Sequence, residues 1–295
     1  MIPIECPSVR PIIHGRVKLQ IGFRTALLVA LALPMAAAVP AQAHQGGDAS
    51  KSAHAAVAAA VADPARKESN RARDRYRHPL ETLAFFGVRP DHTVVEIWPS
   101  AGWYTEILAP LVREKGVYYG ATQPPGKYRE ATEKLVASDP ARFGKVRLTM
   151  LEPGKPSEIA PPGSADVVLT FRNVHNLLSA GDATAAMAFA DFYRALKPGG
   201  VLGIVDHRLP EDRDPALEKT SGYVKRSTIL RLATAAGFTL AGESEVNANP
   251  KDSADWPKGV WTLPPALREG ETDRAKYLAI GESDRMTLKF VKPAR

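Results

Sequence analysis

Two histidines and one aspartate are the side chains in this sequence best suited to moving protons. His175 follows the apolar run 166–171, and Asp206 and His207 follow the apolar run 201–205. Histidine titrates near neutral pH, so it can take a proton from a substrate and give it back. A histidine in such a place also often caps a helix or bonds a buried carbonyl. We therefore weigh catalysis by His175, His207 and Asp206 about equally with a structural role. A metal site is not expected, because no H-x-x-x-H or H-E-x-x-H spacing is present.

The elements that must position these residues follow from an alternation of short apolar runs and helical patterns. Parallel strands buried on both faces appear as continuous apolar runs, with helices in between. The pattern predicts a doubly wound, mostly parallel seven-stranded α/β sheet with helices on both faces and an N-terminal helical extension at 64–86. The predicted strands are 93–98, 116–121, 146–150, 166–171, 201–205, 238–246 and 286–291.

The stretch VVEIWPSAGWYTEIL, residues 94–108, predicts a buried strand, a tight turn and the start of a helix. Glu96 lies near the end of the strand, and Gly102 opens the helix. This layout is typical of a nucleotide-cofactor loop in a doubly wound domain. Trp98 and Ser100 occupy two positions where such loops usually carry glycine. The loop thus predicts the location of the active site.

Together with the strand DVVLTF and the phrase RALKPGGVLGIVD at 194–206, this loop resembles the class I S-adenosylmethionine-dependent methyltransferase fold. Within that fold, the sequence looks like a secreted proteobacterial group of predicted methyltransferases, over roughly residues 74–292. The resemblance implies S-adenosylmethionine as the cofactor. Proteins of this fold usually place an acid after the second strand to bind the ribose, whereas this chain has Thr122 there. The resemblance implies these cofactor-binding residues: Glu96, Trp98, Ser100, Gly102, Thr122 and Asn173.

The substrate is expected to be a small organic molecule, and a flat aromatic compound is one candidate. All four tryptophans lie in two places, the loop after the first strand and the Pro-rich stretch 249–265, rather than in periodic helices. This distribution favours an aromatic-walled pocket, with 249–265 as an ordered loop or a lid. The segment around Tyr76, which precedes the sheet, is either a solvated basic face or a second lid. The predicted substrate-binding residues are Tyr76, Arg77, His78, Tyr104, Asn247 and Trp261.

Three functions are compatible with these residues. The first is transfer of a methyl group from S-adenosylmethionine to a small organic acceptor, with His175 or His207 taking the proton. The second is a lyase, isomerase or hydrolase that reuses the fold without the cofactor, which Trp98 and the missing acid after the second strand favour. The third is a periplasmic binding protein without catalysis.

The first 43 residues have the composition of a secretory signal peptide. A basic segment with Arg16, Lys18 and Arg24 precedes an apolar run at 25–39, and Ala41-Gln42-Ala43 matches an A-x-A cleavage site. We expect cleavage after Ala43, a linker at 44–63, one domain at 64–295, a periplasmic or secreted location and no stable membrane anchor. The only cysteine, Cys6, would leave with the peptide, so the mature chain has no disulfide or thiol nucleophile.

The charge balance argues against nucleic acid as a partner. The formal net charge of the whole chain is +7, from 39 basic and 32 acidic residues. The predicted signal peptide carries four of the basic residues and one of the acidic ones, which leaves +4. The basic residues form no dense run with interleaved aromatic side chains. A small molecule is therefore the expected ligand.

Overall fold

The computed structural model describes residues 43–294, with side chains from residue 50 onward. The predicted signal peptide lies outside this range except for Ala43. Eight strands are present in the described residues, and seven of them correspond to the predicted ones. The strands are β1 (Thr93–Ile97), β2 (Val117–Thr122), β3 (Arg147–Met150), β4 (Ala165–Phe171), β5 (Leu196–Leu209), β6 (Val224–Lys225), β7 (Thr239–Ser244) and β8 (Arg285–Val291).

The strands form one sheet in the order β3-β2-β1-β4-β5-β8-β7, and the two-residue β6 pairs with the end of β5. Strands β1 to β5 are parallel, while β8 runs antiparallel to both of its neighbours. From β1 to β3 the chain adds strands toward one edge of the sheet, and it then crosses to β4 on the other side of β1. The switch point of the sheet therefore lies between β1 and β4. In open α/β sheets, ligands bind beyond the carboxyl ends of the strands at such a switch point.

Eleven α-helices are found in the described part of the chain, and most of them connect the strands. Two short 3-10 turns, Pro215–Lys219 and Gly259–Thr262, also occur. The helices are α1 (Ala43–Ala62), α2 (Glu68–Arg71), α3 (Asp74–Arg77), α4 (Pro79–Phe86), α5 (Thr105–Val112), α6 (Lys127–Ser138), α7 (Pro140–Phe143), α8 (Val174–Ser179), α9 (Asp182–Ala195), α10 (Arg226–Ala235) and α11 (Arg274–Ile280).

Alternate residues of β1 face two separate hydrophobic cores, one on each side of the sheet. Val95 and Ile97 pack with Phe189 of α9 in the first core. Val94 packs with Phe86 of α4 and with side chains of α1 and α5 in the second core. A strand with apolar residues on both faces requires helices on both faces. This explains why the predicted runs were continuously apolar.

The N-terminal region differs from the prediction. Most of the segment 44–63, predicted as a linker, lies in helix α1 (Ala43–Ala62), and Val57 of this helix is buried in the second core. The alanine-rich composition supports a helix, and burial of one apolar side chain fixes it to the domain. The helical extension predicted at 64–86 is divided into three short helices, α2, α3 and α4. His78 adopts a left-handed conformation (φ 39°) between α3 and α4.

Strand β5 continues four residues further than predicted. Its register against β8 pairs Asp206 with Met286 and His207 with Arg285. Both residues were expected just past the strand, but the antiparallel partner extends the hydrogen bonding beyond the end of β4. Asp206 and His207 are therefore held by backbone pairing rather than by a loop.

The Pro- and Trp-rich segment 249–265 is fastened to the sheet through Asp252. This carboxylate accepts hydrogen bonds from the Tyr223 hydroxyl, the Trp256 indole (2.7 Å) and the backbone N–H groups of Ala254 and Asp284. Ala254 and Val260 pack in a small core with Leu209 and Tyr223. Within residues 43–294, no helix combines the length and the apolar character needed to cross a membrane.

Candidate active site

A cavity of about 690 Å³ opens at the carboxyl ends of β1, β2, β4 and β5. It lies where the switch point of the sheet predicts a ligand. The cavity brings together ten of the fifteen residues predicted to form the site. They are Arg77, Glu96, Trp98, Ser100, Gly102, Tyr104, Asn173, His175, His207 and Trp261.

Asp206 lies directly behind this surface and is completely buried. Its Oδ2 accepts hydrogen bonds from the backbone N–H groups of Val174 (2.7 Å) and His175 (3.2 Å). Its Oδ1 accepts from the backbone N–H of His207 (2.8 Å) and contacts Nδ1 of His175 (2.8 Å). Three backbone N–H groups thus donate to this carboxylate, and both of its oxygens act as acceptors.

The contact with Asp206 fixes the tautomer of His175. Because the carboxylate is an acceptor, Nδ1 of His175 must carry the proton and donate it. In the neutral ring, Nε2 is then the unprotonated nitrogen. His175 lies in the first turn of α8 and lines the cavity, and its Nε2 has no hydrogen-bond partner among the described residues. This is the arrangement of a general base that is oriented by a carboxylate.

His207 is paired with Ser283, a residue that was not predicted to lie in the site. Nδ1 of His207 forms a short hydrogen bond with Oγ of Ser283, and both side chains line the cavity. Burial lowers the pKa of His207 well below its usual value, and the neighbouring His175 and Arg172 lower it further. The two imidazole rings lie 5.2 Å apart, so His207 stays neutral beside His175.

His175, Asp206 and His207 also form the cluster of potential metal ligands in the described part of the chain, with ligand atoms within 4.8 Å of one another. Both oxygens of Asp206 are occupied by the N–H donors of the protein. Only imidazole nitrogens are then free to bind a cation, and two such ligands are fewer than most metal sites in proteins use. The cluster is better suited to proton transfer.

Glu96 is buried on the other side of the cavity, near the end of β1. Its Oε2 accepts hydrogen bonds from the hydroxyl groups of Thr105 (2.9 Å) and Tyr118 (2.6 Å). Burial raises the pKa of Glu96 to about 7, although both hydrogen bonds oppose that shift. This carboxyl group therefore changes charge near neutral pH.

The loop after β1 keeps a backbone that glycine normally provides. Trp98 (φ 49°), Ser100 (φ 52°) and Gly102 (φ 77°) all adopt the left-handed conformation, which non-glycine residues rarely adopt. At Gly102, a Cβ atom would lie 2.0 Å from Cδ2 of Leu135 in α6. Asn173 supports the loop from the next strand, donating a hydrogen bond from Nδ2 to the carbonyl of Ile97 (2.8 Å).

The Trp98 side chain is turned into the first core and is only 8% exposed. Its Nε1 donates a hydrogen bond to the carbonyl of Leu151, which follows β3 (3.1 Å). The indole thus reaches past the end of β2, and its edge contributes to the cavity wall. This position explains how a bulky residue is accommodated where glycine is usual.

Gln123, and not Thr122, presents its side chain to the cavity after β2. Thr122 is fully buried, and its hydroxyl donates to the carbonyl of Thr149 (2.9 Å), so the expected cofactor contact does not fit its position. Gln123 donates from Nε2 to Oγ of Ser100 (2.9 Å), while its Oε1 is a buried acceptor without a partner in the described residues.

Three predicted substrate-binding residues are also placed outside the cavity wall. Asn247 is buried and donates from Nδ2 to the hydroxyls of Thr82 and Thr287, both at 2.9 Å, so its role is structural. Tyr76 and His78 flank Arg77, but only Arg77 reaches the cavity. The left-handed turn at His78 directs the neighbouring side chains differently from a continuous helix.

A group of charged residues in the wall was not predicted as a unit. Glu282 forms ion pairs with Arg73 (2.6 Å), Arg77 (3.3 Å) and Arg285 (3.1 Å). Burial alone would raise the pKa of Glu282, but Arg77, Arg285 and Arg73 bring it down to about 2. The sequence signal was limited to the basic run at 73–77 and to Ser283-Asp284-Arg285, more than 200 residues later in the chain.

Comparison with known proteins identifies the fold. No family model matches the chain, and its sequence matches no curated protein. Among solved structures, an S-adenosylmethionine-dependent methyltransferase from Aquifex aeolicus is 18% identical with a TM-score of 0.50, covering 81% of this chain and 98% of its own. A protein from Galdieria sulphuraria, assigned as a sarcosine dimethylglycine methyltransferase, is 14% identical with a TM-score of 0.52, covering 78% of this chain and 87% of its own.

The [4+2]-cyclase SpnF also matches, at 16% identity and a TM-score of 0.51, covering 79% of this chain and 86% of its own. The protein has the class I methyltransferase fold, with a mostly parallel seven-stranded sheet and helices, as the sequence predicted. These neighbours include both methyltransferases and a cyclase. The reaction of this chain must therefore be argued from its own site.

Proposed function

We propose that this protein transfers a methyl group from S-adenosylmethionine to a small organic acceptor. The observation that carries the proposal is the loop after β1, which keeps a left-handed backbone at Trp98, Ser100 and Gly102 despite two non-glycine residues. Such backbone strain costs free energy and commonly persists at ligand sites. The loop borders the large cavity at the switch point of the sheet.

The residues around this loop fit the cofactor. Gln123 directly follows β2, where proteins of this fold place the group that binds the ribose, and its Oε1 is a buried acceptor that lacks a donor. A ribose hydroxyl would supply that donor. Because the Trp98 indole is turned into the core and hydrogen-bonded to Leu151, it leaves the space in front of the loop open. Glu96, Ser100, Gly102, Asn173 and Gln123 would hold the cofactor.

When bound, S-adenosylmethionine supplies an electrophilic methyl group. The chain itself positions the acceptor and takes its proton. Nε2 of His175 is the unprotonated nitrogen on the cavity surface, and Asp206 fixes the ring and stabilises it once it is protonated. His207 remains neutral and holds the hydroxyl of Ser283 beside the acceptor.

A second candidate is an acid–base reaction at the same histidines without the cofactor, such as that of a lyase, an isomerase or a hydrolase. The hydrogen-bonded His175–Asp206 pair favours it, because this pair can move protons whether or not a cofactor is present. The amide of Gln123 also binds a ribose less strongly than the usual carboxylate, since a neutral acceptor makes weaker hydrogen bonds.

Export to the periplasm or the medium is part of the proposal. It is supported by the composition of residues 1–43, which lie outside the described part except for Ala43. Cell fractionation followed by N-terminal sequencing tests it: protein found only in the cytoplasmic fraction, with residues 1–43 intact, would contradict export.

The cofactor is tested by calorimetric titration of the chain from residue 44 with S-adenosylmethionine and S-adenosylhomocysteine. We expect saturable binding in roughly the micromolar range. Gln123→Met keeps the length of the side chain but removes Oε1, and should weaken binding about tenfold. Arg231→Gln on the exposed face of α10 is the control. A folded protein that binds neither compound would rule out the methyltransferase and leave the second candidate.

A further inference from the structure

The part of the cavity next to the two histidines carries more positive charge than the protein neutralises. Arg73, Arg77 and Arg285 share a single carboxylate, that of Glu282. Three guanidinium groups on one carboxylate leave a net charge of about +2 in a buried wall. A buried excess charge is costly unless a further group pairs with it.

Arg172 adds a fourth guanidinium to this wall. It lies in the turn after β4, in a left-handed conformation (φ 62°), and it lines the cavity. Its side chain has neither an ion pair nor a hydrogen bond among residues 50–294. Burial and, after it, the nearby Arg285 lower the pKa of Arg172 to about 10, although the carboxylates of Glu282 and Asp206 act in the opposite direction. Arg172 is thus a cation that lies close to other cations and has no direct partner in the described part of the chain.

Two buried N–H donors in this wall have no acceptor within the part of the chain that the structure describes, which favours binding of a further ligand there. Nη2 of Arg77 and Nη2 of Arg73 are buried and have no hydrogen-bond acceptor in the described residues. Only 3% of the Arg77 side chain is exposed. Unsatisfied buried donors of charged groups are rare in folded proteins, because each costs free energy.

We propose that Arg172, together with Arg73 and Arg77, binds an oxyanion of the acceptor, either a carboxylate, a sulfate or a phosphate. Guanidinium groups match these anions in bidentate geometry. The assignment to the acceptor rests on the proposed function, whereas the anion site itself does not. It makes the substrate a small organic anion and places it against His175 and Ser283, which line the same cavity.

The anion site and the cofactor site share the cavity but take most of their residues from different strands. The residues proposed to hold the cofactor follow β1 and β2, with Asn173 the exception. Arg172 follows β4, and Glu282 precedes β8 on the other side of β5. Arg77 stacks on the ring of Trp103 (4.6 Å), so the arginine group also borders the loop after β1. Binding of the cofactor must therefore be measured beside binding of the anion.

The test compares anion binding and cofactor binding in the same variants. Inorganic phosphate is titrated against the thermal unfolding midpoint, with sodium chloride of equal ionic strength as the reference. S-adenosylhomocysteine is titrated by calorimetry. The variants are Arg172→Gln and Arg73→Gln, and Arg172→Lys tests whether charge alone suffices. Arg231→Gln, an exposed residue of α10, is the matched loss of one positive charge.

We expect phosphate affinity to fall roughly tenfold or more in Arg172→Gln and Arg73→Gln, and less in Arg172→Lys. Arg231→Gln should retain it, and S-adenosylhomocysteine affinity should stay within about twofold in every variant. Unchanged phosphate affinity in both Arg→Gln variants would overturn the anion site. An equal loss of S-adenosylhomocysteine affinity would overturn its assignment to the acceptor, because the anion would then be the cofactor's own carboxylate.

Failure of the proposed function gives a different pattern. If the wild type binds no S-adenosylhomocysteine while its phosphate affinity still depends on Arg172 and Arg73, the methyltransferase is excluded and the anion site stands. Circular dichroism of each variant separates a loss of binding from a loss of folding. The side chain of Arg73 is 24% exposed, so Arg73→Gln is the variant least able to disturb the core.

Discussion

Nδ1 of His175 lies 2.8 Å from Oδ1 of Asp206, in a buried pair that joins the start of α8 to the interior of β5. The same carboxylate holds the backbone N–H groups of Val174, His175 and His207. One side chain thereby fixes the start of a helix and the orientation of the proposed base, His175. The pair links the folding of this region to its chemistry.

The tautomer of His175 is the most direct test of this pair. We expect neutral His175 to carry its proton on Nδ1, because Asp206 accepts it. Long-range ¹⁵N–¹H spectra of the imidazole distinguish the two tautomers. Asp206→Asn should move the population toward the Nε2–H form, since the amide also presents a donor. Asp166→Asn, whose parent carboxylate pairs with Lys197, is the control and should leave the spectrum unchanged. A wild-type Nε2–H tautomer would contradict the assignment of the base.

Glu96 should make stability depend on pH. Its folded-state pKa of about 7 lies above the ordinary value of 4.5, so the folded protein binds this proton more tightly than the unfolded chain does. The free energy of unfolding should therefore fall as pH rises from about 4.5 to 7, by a few kcal/mol at most. Glu96→Gln keeps an acceptor for Thr105 and Tyr118 and should remove this slope. Denaturant unfolding at several pH values measures it.

The exposed Glu130→Gln on α6 is the matched control for that experiment and should leave the pH dependence unchanged. If the curves of the wild type and Glu96→Gln run parallel between pH 4.5 and 7, the carboxyl group is not desolvated as described.

Gly102 should tolerate no side chain. Alanine there would place Cβ 2.0 Å from Cδ2 of Leu135, at a φ of +77°. Gly199 has nearly the same φ (+79°) but nothing within 4 Å of its Cβ position. Both alanine variants carry the strain of a left-handed residue, about 1 kcal/mol, and only Gly102→Ala adds a clash of about 1–3 kcal/mol. Chemical denaturation of the two variants gives the difference, and equal losses would show that the clash relaxes freely.

Asp252 should control the order of segment 249–265. Asp252→Ala leaves the Tyr223 hydroxyl and the Trp256 indole N–H without their acceptor, at a cost of about 1–3 kcal/mol. Hydrogen exchange across the segment should accelerate. Asp255→Ala removes a largely exposed carboxylate with only a 3.5 Å ion pair and should change little. Exchange rates that match in the two variants would mean that packing alone holds the segment.

The sequence predicted the sheet because its strands are continuous apolar runs and need no knowledge of distant contacts. It also indicated His175, since a polar residue directly after a buried strand reaches the edge where ligands bind. Asp206 and His207 were placed in a loop because the extension of β5 depends on pairing with β8. That pairing is an interaction between strands and leaves no local pattern.

Thr122 shows a different limit. Successive residues of a strand point to opposite faces, so an error of one position exchanges a cavity residue for a buried one. Thr122 turns inward to Thr149, while Gln123 faces the cavity. The arginine group was missed for a further reason. Its charges come from segments separated by more than 200 residues, and only the folded sheet brings them together.

The joining of Arg73 and Arg77 to Glu282 also makes the pocket depend on a segment late in the sequence. These contacts span 209 and 205 residues. A product truncated before residue 282 holds its arginines without the acid that pairs with them. It also lacks β8, which pairs with β5 at Asp206 and His207. Only a chain that extends past β8 contains every residue of the pocket beside the histidines.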